Sequence, residues 1–305
     1  MITRRLLITS IILIVATALG GCYTHLNERP TISASVDDYP IDRVIEDIVY
    51  TAADWPQPLM ADLYLPQRPG LHPVVLMIHG GGWANRSRDD MTGISRKLAR
   101  HGYAVFNVSY RFAPRYTYPA QLHDMAQALQ WIAANAQEYN LDTERLNAWG
   151  YSSGAHLAAL IASIDKTGTS VDATAPLPRI QSVVAGGIPS DLRKYSGSPI
   201  VMRFMGGDRH EMPERYAEAS PAYHVSSDDP PVFLYHGELD FLVTKDQATD
   251  YYEALVAAGI DTELYLHGWR EHMTMFLFGG DAEKRAIHFL NRNNRPEQLL
   301  AADQN

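Results

Sequence analysis

The chain has 305 residues, of which 46% are hydrophobic, 20% charged and 10% aromatic, a mix that excludes a disordered, collagen-like or coiled-coil protein. Its 26 Lys and Arg against 35 Asp and Glu leave a net charge of −9, and no basic stripe is visible, which argues against a nucleic acid partner or a charge-driven hold on an anionic membrane. The single cysteine, Cys22, rules out an internal disulfide and a zinc site built on cysteines.

At the N-terminus, Arg4 and Arg5 precede an apolar run, Leu6–Leu19, followed by Gly20 and Gly21. A positive start, a short apolar stretch and small residues form the layout of a secretory signal peptide, here residues 1–21. As a helix that run would reach ~21 Å, short of the ~30 Å hydrocarbon core, so a cleaved signal fits better than a span. Leu19-Gly20-Gly21-Cys22 resembles the lipobox of bacterial lipoproteins, in which the cysteine becomes the acylated N-terminus. The resemblance implies export and a membrane anchor on Cys22, on the periplasmic or outer-membrane side; Tyr23, rather than Asp, after the cysteine leans toward the outer membrane. Residues 22–40 lack apolar periodicity and carry Thr, Ser, Asn, Asp and Pro, the composition of a flexible tether.

Two strands come next, at Arg43–Tyr50 and Leu59–Leu65, separated by Asp54, Pro56 and Pro58, as an antiparallel pair. Near-continuous apolar runs follow at Val74–Ile78, Ala104–Val108, Leu146–Trp149, Val183–Ala185, Val232–Tyr235 and Thr262–Leu266. Runs of this kind suit parallel strands covered on both faces. Helical patterns lie between and after them, at Ile94–Ala99, Ala120–Ala134, Ala155–Ser163, Gln247–Ala258 and Ala282–Asn291. The alternation predicts an α/β fold with one mostly parallel eight-stranded sheet and helices on both faces. The stretch from about 189 to 230 is rich in Pro and Gly and reads as an irregular, lid-like insertion. Residues 296–305 read as a polar tail, leaving 41–295 as the folded domain.

Gly150-Tyr151-Ser152-Ser153-Gly154 is a Gly-x-Ser-x-Gly motif between a strand and a small-residue helix. A serine at such a turn is pushed out above the sheet, and the flanking glycines are needed where a Cβ would meet backbone. His79-Gly80-Gly81-Gly82-Trp83 ends the Val74–Ile78 strand. Its glycines can turn backbone N–H groups inward, and with the N–H of Ser153 those of Gly81 and Gly82 can form an oxyanion hole. A phosphate loop would need Gly-x-Gly-x-x-Gly or a Gly-Lys-Ser/Thr ending, which is missing.

These motifs resemble the α/β-hydrolase superfamily. Within it the chain is similar to hormone-sensitive-lipase-like carboxylesterases and to bacterial feruloyl and acetylxylan esterases. The resemblance runs from about Leu59 to Asn291 and also rests on Asn107-Val108-Ser109-Tyr110-Arg111-Phe112-Ala113-Pro114, Tyr118-Pro119-Ala120-Gln121, Ser220-Pro221 and His236-Gly237-Glu238-Leu239-Asp240. Ser153-Gly154-Ala155 departs from the Ala-Gly-Gly of many relatives but keeps the small size. The order of this fold is serine, then acid, then histidine. Asp240, just past the Val232–Tyr235 strand, matches the acid; Asp124 precedes the nucleophile and is structural. His272, in the loop Gly268–Met273 after the last strand, matches the base, with His267 as its rival.

The resemblance implies a serine hydrolase acting through Ser152, Asp240 and His272, with Gly81, Gly82 and Ser153 as oxyanion donors and no metal or organic cofactor. The expected partner is a small-molecule or polysaccharide-linked ester, with acetyl or feruloyl groups among the acyl classes. Trp83, Tyr118 and Trp269 are candidates for lining the substrate pocket. Amide hydrolysis (arylformamidase, amidase or peptidase) and a non-catalytic binding module are the competing classes. Oligomeric state is left open.

Overall fold

The structure, a computed structural model, describes residues 23–29, 38–164 and 176–294. Nine strands form one sheet: β1 (Tyr23–Leu26), β2 (Ile41–Val49), β3 (Met60–Pro66), β4 (His72–Ile78), β5 (Ala104–Val108), β6 (Leu141–Tyr151), β7 (Ser182–Gly186), β8 (Val232–Gly237) and β9 (Thr262–His267). Their order is β1-β9-β8-β7-β6-β4-β5-β3-β2. The pairs from β5 through β9 are parallel, while β3 runs against both β2 and β5, and β1 against β9.

The helices are α1 (Thr92–Arg100), α2 (Ala120–Ala134), α3 (Ser153–Ile164), α4 (Pro199–Met205), α5 (Pro213–Glu218), α6 (Asp246–Ala257), α7 (His272–Phe278) and α8 (Gly280–Asn293). The apolar runs carry the sheet because successive side chains point to opposite faces and both faces are covered. Val74, Leu76 and Ile78 pack with Leu122, Met125 and Leu129 of α2 and Leu157 and Leu160 of α3. Val75 and Met77 pack on the opposite face with Leu98 of α1 and Phe289 and Leu290 of α8. One buried layer therefore lies on each side of β4, and the strand ends between them are fixed points for a site.

Three expectations need correction. The sheet has a ninth strand beyond the eight read from the sequence, because Tyr23–Leu26 belongs to it and not to a flexible tether. Four residues are too few to show a period, and tertiary contacts hold them: Tyr23 stacks on Tyr265 at 5.3 Å, Arg285 lies 4.7 Å from the Tyr23 ring centre, and His25 Nε2 is 2.9 Å from a Glu263 carboxylate oxygen. The 189–230 stretch is not wholly irregular: two short α-helices lie within it, at Pro199–Met205 and Pro213–Glu218. Proline in the first turn starts both α4 and α5, a position where its missing N–H costs nothing. Phe204 and Tyr216 bury there, and Ser190 Oγ donates to Gln247 O at 2.5 Å, tying the stretch to α6. His272 opens helix α7 instead of sitting in a loop. The signal peptide, Cys22, residues 30–37 of the tether and the polar tail lie outside the described residues.

Candidate active site

Ser152 sits between the end of β6 and the start of α3 at φ +54°, a left-handed conformation that a non-glycine residue holds only under constraint. The turn is tight enough to exclude side chains beside it. A Cβ on Gly150 would stand 2.2 Å from the Gly154 carbonyl, and one on Gly154 would stand 2.2 Å from the Ile78 carbonyl oxygen. Ser152 N donates to Gly186 O at 2.7 Å and His156 N donates to Ser152 O at 3.0 Å, so the backbone is pinned on both sides.

The glycine loop faces this turn. Gly81 and Gly82 have φ of +116° and +59°, and a Cβ on Gly81 would lie 2.1 Å from Asn85 O. Gly81 O accepts from Ala84 N and Asn85 N, both at 3.2 Å, which closes the loop on itself. Among the described residues no backbone carbonyl or side chain accepts from Gly81 N–H or Gly82 N–H. Ser153 N–H, at the first residue of α3, is likewise one of the donors that a helix start leaves unmade. All three residues line the same cavity as Ser152.

Asp240 and His272 meet across the strand ends. Asp240 Oδ2 accepts from His272 Nδ1 at 2.6 Å, while Oδ1 accepts from Leu242 N at 3.0 Å and Val243 N at 2.8 Å. His272 is fixed at its other end as well: Tyr151 O–H donates to His272 O at 2.5 Å, and the Glu271 carboxylate caps α7 by accepting from Thr274 N at 2.6 Å and Met273 N at 3.0 Å. His236, near the end of β8, is wholly buried, with Nε2 3.4 Å from Asp240 Oδ2. Its Nε2 donates to Val243 O at 2.8 Å, securing the turn that carries Asp240, and burial holds its pKa below the usual imidazole value. The sequence offered no signal for this support beyond a histidine at the strand end. His267, the rival base, accepts from Trp269 N at 3.3 Å in the turn after β9 and stays out of the cavity.

The cavity has a volume of about 320 Å³. Its lining includes Gly80–Trp83 and Tyr151–Ser153, Tyr195, Ile200, Val201 and Arg203 of the insertion, and Leu242, Val243, His272, Met273 and Phe276. Trp83 lines it, as the sequence predicts, but its face is spent on packing: its ring stacks on Phe204 at 4.2 Å. Its Nε1 donates to His156 Nδ1 at 3.3 Å, and His156 Nε2 donates in turn to Ala219 O at 2.7 Å. Burial lowers the His156 pKa to about 4, which keeps the ring neutral with one nitrogen free to accept.

Tyr118 is a correction. It is 1% exposed, packs edge-on against Phe204 at 5.8 Å and does not line the cavity. Trp269 is a second correction, being 69% exposed and outside the cavity lining. Aromatic character alone does not separate core, surface and pocket. Asp124 is structural, as expected: its buried carboxylate accepts from Arg111 Nε at 2.7 Å, Arg111 N at 2.9 Å and Trp55 Nε1 at 2.9 Å.

A serine on a strained strand-to-helix turn, above a mostly parallel sheet covered by helices, defines an α/β-hydrolase. The BD-FAE family model matches residues 61–255, and the chain belongs to that family. Esterase LipQ of Mycobacterium tuberculosis is 29% identical over 205 residues, which are 63% of this chain and 48% of that one. The chain spans about half the length of several such relatives. Among solved structures, a truncated carbohydrate esterase from gut microbiota superposes with a TM-score of 0.75 at 22% identity, covering 84% of this chain and 97% of that one. A bifunctional GH43-CE protein of Bacteroides eggerthii gives a TM-score of 0.75 at 25% identity over 87% of this chain and 39% of that one.

Proposed function

We propose that the chain is a serine carboxylic ester hydrolase. The observation that carries this reading is the convergence in one cavity of a strained serine, an acid-supported histidine and three uncommitted backbone N–H groups. Ser152 Oγ attacks the ester carbonyl while His272 takes its proton. Because Nδ1 is committed to Asp240, Nε2 is the ring atom that accepts. Asp240 fixes the tautomer and steadies the imidazolium, and its own orientation comes from two backbone N–H donors. The N–H groups of Gly81, Gly82 and Ser153 hold the tetrahedral oxyanion, each such donor being worth ~10²–10³ in turnover. Collapse expels the alcohol, which takes the proton from His272, and leaves an acyl-Ser152 that water hydrolyses with His272 again as base. Every proton and acyl transfer uses the chain's own residues and water.

The small cavity favours a compact acyl group, such as acetyl, or a flat aryl one such as feruloyl, since ligand pockets run from ~300 to ~1,000 Å³. The fold likeness to carbohydrate esterases supports an ester borne on a polysaccharide. The lipobox-like Leu19-Gly20-Gly21-Cys22 supports an exported protein held to a membrane through Cys22, on the periplasmic or outer-membrane side. Initial rates on p-nitrophenyl acetate, acetylxylan, a feruloyl ester and an amide matched to each test the reading. The esters should turn over and the matched amides should lag; faster amide cleavage would move the chain to the amidase class, and no turnover of any substrate would contradict the hydrolase reading.

A further inference from the structure

An apolar rim borders the mouth of the cavity on the side where β8 and β9 finish. Leu239, Phe241 and Leu242 come from the turn after β8, Trp269 from the turn after β9, and Met273 and Phe278 from α7. All six are exposed, Phe241 by 82% and Trp269 by 69%. Backbone and side-chain contacts join these segments: Leu239 N donates to Arg270 O at 3.0 Å, and the Arg270 guanidinium lies 5.4 Å from the Phe278 ring centre. Leu242 and Met273 also line the cavity, so the rim and the mouth are continuous. Single exposed apolar residues are ordinary, but a contiguous group beside an opening marks an interaction surface.

The path of the N-terminal strand says what that surface meets. β1 runs antiparallel to β9 with Tyr23 opposite His267, the last residue of β9. The chain therefore joins the sheet at the rim end, beside the turn that carries Trp269. Cys22 is bonded directly to Tyr23, so its Cα stands ~3.8 Å from a residue already in the sheet. A lipid on that cysteine would enter a bilayer next to the rim, with no tether to carry the domain away. Charge contributes little: Glu238 and Glu271 match Lys245 and Arg270 in number, and Glu271 is engaged in capping α7. Apolar insertion, not Coulombic attraction, would hold such a face to lipid.

We propose that this rim seats on a lipid bilayer and sets the cavity mouth at the membrane surface. The proposal rests on the reading of the N-terminus as a membrane anchor and uses none of the ester chemistry. The test takes the full chain, purified from membranes, into phosphatidylcholine vesicles with and without bromine atoms on the shallow part of the acyl chains. Flotation reports the anchor; quenching of tryptophan emission by bromine reports the rim, because Trp55, Trp83, Trp131 and Trp149 are buried or half-buried. Brominated lipid should quench the wild-type protein, Trp269→Phe should remove the quenched component, and Phe241→Glu should weaken the quenching while the protein still floats. Flotation with emission indifferent to bromine would overturn the rim proposal and leave the anchor standing. Failure to float would overturn both. A concentration-dependent dimer that shields Trp269 without lipid would assign the rim to a second copy and overturn it as well.

Discussion

The wall of the cavity made by Gly80–Gly82 and the Ser152 turn is held by backbone, whereas the wall made by His272, which Asp240 supports, and by α4 is held by side chains that reach across the fold. On the first wall backbone meets backbone: the carbonyls of Gly154 and Ile78, each 2.2 Å from a notional Cβ at Gly150 and Gly154 respectively, leave no choice of residue. On the second, the partners are far apart in sequence, as with His272 and Asp240 at 2.6 Å or Trp83 against Phe204 at 4.2 Å. A backbone wall is rigid and intolerant; a side-chain wall can be edited, one contact at a time, to change what the cavity accepts.

The largest loss should come from the backbone wall. Gly154→Ala places a Cβ against the Ile78 carbonyl oxygen, which has no flexible neighbour to yield. The cost should be roughly 3 kcal/mol or more, at the top of what overpacking brings, and thermal unfolding by circular dichroism would read it together with lost activity. A wild-type melting temperature would show that the turn relaxes and that the wall is less rigid than its contacts imply.

Next come losses of chemistry without loss of fold. Ser152→Ala should lower kcat by roughly 10⁴–10⁶ while the melting temperature stays near that of the wild type, and adding His272→Ala should cost scarcely more, since the members of such a unit are not additive. Additive losses in the double variant would separate the two walls as independent contributors.

How far the sequence could be read follows the same division. The strand-to-helix turn, the glycine loop and α2 at Ala120–Ala134 were legible because apolar period and glycine position fix them locally. Asp240 and His272 were reached through resemblance and chain order, and their pairing is visible only in the fold. What escaped was set by distant partners: β1 exists because Tyr265, Glu263 and Arg285 receive it, α7 starts at His272 because Glu271 caps it, and Tyr118 faces Phe204 and not the cavity. No four-residue window holds that information.

A smaller effect should appear on acidification. Burial lowers the pKa of His79 and of His156 to about 4, against ~6.5 in an unfolded chain. The unfolded state then binds more protons between these values, so the stability the two rings contribute is complete above pH ~6.5 and is lost as pH falls toward 4. The loss is roughly 3 kcal/mol per ring at most, at 1.36 kcal/mol per pH unit. Urea unfolding at pH 7 and pH 4.5 would read it, and His156→Gln should flatten the slope; an unchanged midpoint would mean that neither ring is held neutral.

The smallest effect is expected at Tyr118. Its hydroxyl is buried with no hydrogen-bond partner among the described residues, so Tyr118→Phe removes an unsatisfied polar group. Stability should hold or rise slightly and KM should stay unchanged. A raised KM would return Tyr118 to the substrate pocket.

The most direct measurement of the central claim is covalent trapping. A fluorophosphonate mimics the tetrahedral intermediate and needs an activated nucleophile beside an oxyanion hole. Intact mass after incubation should show one adduct per chain, peptide mapping should locate it on Ser152, and His272→Ala should abolish it. An unlabelled wild-type chain, or an adduct on any other residue, would contradict the assignment of Ser152, His272 and Asp240 as one hydrolytic unit.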